Sequence, residues 1–277
     1  MSTITITAAD VNKLRAQTGA GMMDCKKALT EANGDFEQAI DYLRKKGQKV
    51  AANRADRDAK EGYILAKTNA DGTKGFLIGL GCETDFVAKS GDFIKFVEDL
   101  LDLAVANNIK DVDALKALPM GEVTVNDRLF DIIGKIGEKI EITSYEVVEA
   151  PKVVIYIHPG NRVVAMVGLS SASAPAESGK DVAMQIAAMN PVAIDKNDVD
   201  VKTLEREIEI GKEQARAEGK PEEMLEKIAQ GKLNKFYKES TLLNQQFIKD
   251  DKMDIRQYLD KTEKGLTVNV FRRVQIG

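Results

Sequence analysis

Over residues 7–47, apolar positions recur every three or four residues, which predicts three short helices. Thr7 and Asp10 cap the first ahead of Val11 and Leu14, and Gly19 and Gly21 stop it. The second helix is predicted over residues 22–32, with Cys25, Leu29 and Ala32 on one face. Asn33-Gly34 ends it, Asp35 caps the third, and Phe36, Ala39, Ile40 and Leu43 form the third helix's apolar face up to a closing Gly47. Residues 48–61 (QKVAANRADRDAKE) carry mixed charge without an apolar stripe, and they predict a solvated, helix-permissive linker.

From Gly62 the period shortens to that of strands. Residues 63–68 and 74–80 flank Asn69-Ala70-Asp71-Gly72, a hairpin signal. Helices are predicted over 92–106, with Phe93, Val97, Leu100, Leu101 and Ala104 inward, and over 125–137, with Leu129, Ile132, Ile133 and Ile136. A strand over 138–148 closes this block. The plan then repeats. Residues 152–157 and 162–169 flank the turn His158-Pro159-Gly160-Asn161, a helix spans 180–189, another spans 254–259, and a strand runs over 266–276. The closing segments EKIEITSYEVV and EKGLTVNVFRRV occupy equivalent places.

One segment interrupts the repeat. Residues 200–218 and 222–237 are charged helices joined at Gly219-Lys220-Pro221, with Leu204, Ile208 and Ala215 predicted to meet Leu225, Ile228 and Phe236. The expected class is α+β: a three-helix module (1–47), a linker (48–61), a first α+β subdomain (62–149) and a related second one (150–277) with a helical hairpin over 200–237.

Composition then narrows the function. The chain has 277 residues, 43% hydrophobic and 30% charged, which suits a globular protein with more than one core. Its net charge of −4 disfavours a generally basic nucleic-acid binder. The first residues lack the basic and apolar regions of a signal peptide, and no apolar run approaches the about 18 residues of a membrane span. A cytoplasmic location without membrane contact is expected. The single histidine, His158, excludes two-histidine zinc sites, and the cysteines Cys25 and Cys82 are expected as free thiols.

No catalytic constellation emerges. A phosphate-binding GxxxxGK[ST] loop and a GxSxG elbow are both absent, and Gly79-Leu80-Gly81 has Thr84 where a dinucleotide fingerprint needs its third glycine. Acidic residues are expected on solvated helix faces, and His158 lies in a turn without a partner. No enzyme activity, cofactor or metal is expected.

Two segments suggest binding instead. Met22 and Met23 are adjacent at the start of a helix, so both cannot enter one core, and exposed Met is adaptable contact surface. Glu83-Thr84-Asp85-Phe86-Val87 lies between a strand and a helix, with Phe86 either folded into the core or presented outward as an anchor.

Together these segments carry a resemblance. LRAQTGAGMMDCKKALTEANGDFEQAIDYLRKKG (14–47) resembles the amino-terminal module of the bacterial elongation factor Ts family, and CETDFVAKS (82–90) matches that family's Thr-Asp-Phe-Val motif. GKPEEMLEKIAQGKLNKFYKE (219–239) and the hairpin holding His158 match as well. The resemblance implies a ubiquitin-associated-like module, two core subdomains and a coiled-coil insertion. It implies a guanine-nucleotide exchange factor for elongation factor Tu, in its GDP-bound and nucleotide-free states. Thr84, Asp85, Phe86 and Val87 would displace Mg²⁺ from that partner, with Met22, Met23, Cys25 and a core-like His158 as further contacts. The free chain would be monomeric and would join Tu as a 1:1 or 2:2 complex. Many members continue beyond the last strand into a helical segment, whereas this chain stops at Gly277, which would place more of the affinity on the amino-terminal module.

Three competing readings make different demands. A non-enzymatic scaffold would bind another protein through the three-helix module and would not require Asp85 or Phe86. An enzyme would need a ligand pocket with perturbed ionisable groups. An RNA binder using the linker would show steep salt dependence.

Overall fold

The structure, a computed structural model, describes residues 5–277 and is α+β. It divides into two compact units. One comprises the residues up to Leu65, Leu77–Glu146 and Gln275–Gly277; the other comprises Ala66–Phe76 and Val147–Val274.

In the first unit, helices α1 (Ala8–Thr18), α2 (Met22–Glu31) and α3 (Phe36–Asn53) enclose a small core of Val11, Leu14, Cys25, Ala28, Leu29, Ala39 and Leu43. Thr7 and Asp10 make a reciprocal capping box, and Asp35 accepts from the Gln38 N–H, so the predicted starts of α1 and α3 hold. Gly47 does not close α3. The helix continues six residues further to Asn53, into the segment expected as a linker. Gly47 is buried there because it faces helix α7 (Val125–Ile136): a Cβ would lie 2.0 Å from the Phe130 carbonyl oxygen. A close helix crossing, not a helix stop, requires glycine at this position.

Strands β1 (Glu61–Thr68) and β2 (Lys74–Cys82) form the expected hairpin, and the Asn69 N–H donates to the Lys74 carbonyl across the turn. A short helix α4 (Asp85–Ala88) and helix α5 (Gly91–Ala106) follow, the latter burying all five predicted inward residues. Helix α6 (Val112–Ala117) and the strands β3 (Pro119–Met120) and β4 (Val123–Thr124) precede α7 and have no counterpart among the expected elements. Strand β5 (Ile140–Glu149) completes a sheet of order β1-β2-β5.

In the second unit, β6 (Lys152–Ile157) and β7 (Val163–Leu169) pair antiparallel, and helix α8 (Ala176–Met189) packs on both. Helices α9 (Val201–Ala217) and α10 (Glu222–Ser240) form the hairpin. The ion pairs Lys212–Glu226 and Arg216–Glu222 run in opposite sequence order, as antiparallel helices require. Their seam keeps Ala215 and Leu225 of the predicted one and differs in the rest. Gly211, Ala215, Leu225, Ala229 and Leu233 are buried, whereas Leu204, Ile208, Ile228 and Phe236 are only half-buried. Gly211 and Ala229 let the backbones approach, which leaves Leu204, Ile208, Ile228 and Phe236 at the margin.

The minor hairpin of β8 (Gln246–Phe247) and β9 (Asp250–Asp254) precedes helix α11 (Ile255–Thr262) and strand β10 (Val268–Gln275). The second main sheet has the order β6-β7-β10, so each closing strand joins the second strand of its hairpin. The repeat seen in the sequence is therefore also a repeat of strand order. No helix among the described residues is long and apolar enough to cross a membrane.

Candidate partner-binding site

Strand β2 delivers Cys82, Glu83 and Thr84 to the start of α4. Two carboxylates fasten this junction. Glu138 Oε2 accepts from the backbone N–H groups of Glu83 (3.2 Å) and Thr84 (3.1 Å), and its Oε1 accepts from Thr84 Oγ1 (2.7 Å). In return, the Glu83 carboxylate accepts the Lys139 N–H at 2.7 Å. It also accepts Arg54 Nη1 at 2.6 and 2.8 Å and Arg57 Nη1 at 3.3 Å. Lys139 Nζ donates to the carbonyls of Ala55 and Arg57, both at 3.0 Å.

Burial pushes the Glu83 carboxyl up, but the Lys139 N–H and the Arg54 and Arg57 guanidiniums outweigh it and hold the group below its usual range. The Cys82 thiol donates to the Thr84 carbonyl at 3.2 Å, and burial pushes it up to about 12.

Above this base, α4 is one turn of helix, with the Ala88 and Lys89 N–H groups returning to the carbonyls of Thr84 and Asp85. Ala88 is buried, Asp85 and Val87 are half-buried, and Phe86 is 84% exposed. Lys89 Nζ donates to Asp85 at 2.7 Å and keeps that carboxyl below its usual range. The expected loop is therefore a short helix, and Phe86 points outward. Such a side chain offers about 1.5–3 kcal/mol to a partner that buries it.

A second apolar surface lies on the first turn of α2, where Met22 is 54% and Met23 is 77% exposed. In the same turn, Asp24 pairs with Lys46 of α3 at 2.7 Å.

The elongation factor TS family model matches residues 83–277. The chain is 57% identical to elongation factor Ts of Cytophaga hutchinsonii, over 98% of this chain and 99% of that protein. It is 53% and 54% identical to the elongation factors Ts of Amoebophilus asiaticus and Christiangramia forsetii, each over 98% of this chain and 99% of the relative. The chain belongs to the elongation factor Ts family. Membership places it among translation elongation factors.

The residues that the elongation factor Ts resemblance singled out fare unevenly as surface. Thr84–Val87 form one continuous feature, and Met22 and Met23 form another. Cys25 is fully buried in the three-helix core, its thiol donating to the Ala20 carbonyl at 3.6 Å, so it supports the α2 surface without being part of it. His158 is not core-like. It is exposed at the β6–β7 turn in the second unit, with Nδ1 3.1 Å from the Tyr156 hydroxyl.

Sequence reasoning missed Arg54, Glu138 and Lys139 altogether, and it placed Glu83 in the binding segment without its partners. Arg54 and Glu83 are 29 positions apart, and Thr84 and Glu138 are 54 apart. No spacing rule connects such residues. Nor do all acidic residues lie on solvated faces. Glu83 keeps 12% of its side-chain exposure, and buried Asp181 accepts from Tyr258 and Lys249.

Proposed function

We propose that the chain is a cytoplasmic exchange factor that speeds GDP release from elongation factor Tu, with no catalytic group of its own. The observation that carries this reading is Phe86, exposed on a single helical turn whose base is fixed by carboxylate-to-backbone hydrogen bonds. In a GTPase, Mg²⁺ bridges the phosphates and tolerates little distortion of its octahedral shell. Inserting Phe86, flanked by Thr84, Asp85 and Val87, into the GTPase domain displaces elements that hold the ion. GDP then loses its strongest electrostatic partner, leaves, and GTP reloads.

Linkage sets the thermodynamic requirement. The factor must bind nucleotide-free Tu more tightly than GDP-bound Tu, and GDP must weaken the factor by the same ratio. A 10⁴-fold preference corresponds to about 5.5 kcal/mol. Burial of one Phe supplies part of that, so the Met22 and Met23 surface contributes binding, with exposed His158 as a further contact. In this reading α1–α3 is a ubiquitin-associated-like module and α9–α10 a coiled-coil insertion. The free chain is a monomer that joins Tu 1:1, and a 2:2 assembly through the hairpin is distinguishable by sedimentation.

Release of a fluorescent GDP from purified Tu tests the proposal. Wild type accelerates release strongly and Phe86→Ala loses most of the acceleration. No acceleration by folded wild type would refute exchange. It would leave the scaffold reading, for which the exposed Met22 and Met23 pair is the supporting observation. Undiminished activity of Phe86→Ala would move the mechanism away from Thr84–Val87.

A further inference from the structure

We propose that Glu138 and the Arg54–Glu83 pair are positioning residues that hold Phe86 ready for insertion and tie it to the helix that supports the methionine surface. The functional consequence rests on the exchange reading; the positioning itself does not.

A four-residue helix cannot hold its own shape in water, because nucleation fixes several residues for very few hydrogen bonds. Its first N–H groups also lack acceptors within the helix. The Thr84 side chain makes no cap bond to the helix N–H groups, so α4 is held instead where the chain enters and leaves it. At its start, Glu138 takes the Glu83 and Thr84 N–H groups and the Thr84 hydroxyl. At its finish, Ser90 Oγ donates to the Val87 carbonyl at 2.9 Å.

The arrangement at the start is reciprocal. The side chain of 138 holds the backbone of 83 and 84, and the side chain of 83 holds the backbone of 139. Neither segment can shift without breaking bonds to a charged group, the costlier kind to lose. Arg54, at the end of α3, and Lys139, reaching the carbonyls of 55 and 57, join a third segment to this clasp. Helix α2, which carries Met22 and Met23, packs on α3.

The consequence is preorganisation. The backbone that carries Phe86 is already ordered before insertion, which lowers the ordering cost to that of the side chain. Loosening the clasp should leave the encounter made by Met22 and Met23 intact and slow the step that uses Phe86.

The test compares full-length Glu138→Ala and Glu138→Gln. Glu138→Ala should lower the maximal rate of GDP release at saturating factor about tenfold, with the half-saturating concentration changed less than about twofold. Deuterium uptake in the free protein should rise at amides 83–88 and not elsewhere in the first unit. Glu138→Gln should recover most of both losses, because its amide oxygen still accepts the two N–H groups. If Glu138→Ala does not fold, Arg54→Ala, partly exposed in the wild type, carries the same two measurements. Unchanged uptake at 83–88, or an unchanged maximal rate, would overturn the inference. Wild type without exchange activity would defeat the exchange reading, and the uptake result would still decide whether the clasp orders α4.

Discussion

Gly47 of α3 and Phe130 of α7 approach so closely that a Cβ on Gly47 would lie 2.0 Å from the Phe130 carbonyl oxygen and 3.3 Å from the Gly134 nitrogen. Both obstacles are backbone, so no rotamer change relieves the clash. Alanine is favoured over glycine in a helix by about 1 kcal/mol, but overpacking a tight contact costs about 1–3 kcal/mol. Gly47→Ala is therefore expected to destabilise the first unit, read as a lower denaturant midpoint. An increase in stability would show that α3 and α7 have room to separate.

The opposite sign is expected in the helical hairpin. Gly231 lies inside α10 with nothing within 4 Å of its Cβ position. Gly231→Ala there gains only helix propensity and reduced unfolded-state entropy, about 0.5–1 kcal/mol. A higher melting temperature of the transition that includes the hairpin checks it.

The contrast between these glycines shows where the sequence was legible. Local rules located the Thr7 and Asp35 caps, the Asn69–Gly72 and His158–Asn161 turns and the apolar face of α5, because each depends on neighbours a few residues away. Gly47 looked like a stop because local rules see only its missing side chain, not the Phe130 carbonyl packed against it. The Thr84–Val87 segment was legible as a motif. Its outward Phe86 was not, since direction follows from Glu138 and Arg54, which are distant in the chain. QKVAANRADRDAKE is solvated and partly helical as read, but local rules did not show that Arg54 and Arg57 converge on one carboxylate.

The two apolar surfaces should separate kinetically. Met22→Ala with Met23→Ala removes exposed contact area and leaves the three-helix core intact. The half-saturating factor concentration in the GDP-release assay should rise about tenfold, with a smaller change in maximal rate. Truncating two half-exposed Met side chains forfeits about 1–2 kcal/mol of partner burial. Phe86→Ala should do the reverse. Identical profiles for the two variants would show that the surfaces act in one step.

Glu83 makes the clasp acid-sensitive. Its folded-state carboxyl titrates below the ordinary value of 4.5, so the ionised form is favoured by folding. That contribution is complete above about pH 4.5 and disappears as pH falls through the folded value. Wild type should therefore exceed Glu83→Gln in stability near neutral pH, with the gap closing in acid. Denaturant midpoints measured from about pH 7 to about pH 3 check this. A gap that widened in acid would mean that Glu83 is protonated in the folded protein.

Cys82 and Cys25 provide an internal comparison for the same clasp. Both thiols are fully buried and shifted upward by burial, so a thiolate-directed reagent should modify neither in the native protein and both after unfolding. The two report on different events. Cys25 lies in the three-helix core, whereas Cys82 donates to the Thr84 carbonyl at the foot of α4. Opening the junction alone exposes Cys82 and spares Cys25. In Glu138→Ala, mass-spectrometric mapping should find Cys82 labelled faster than in wild type, with Cys25 labelling unchanged. Parallel acceleration at both cysteines would mean that the substitution loosens the whole unit, and that the bonds from Glu138 to residues 83 and 84 stabilise the fold without specifically ordering Phe86.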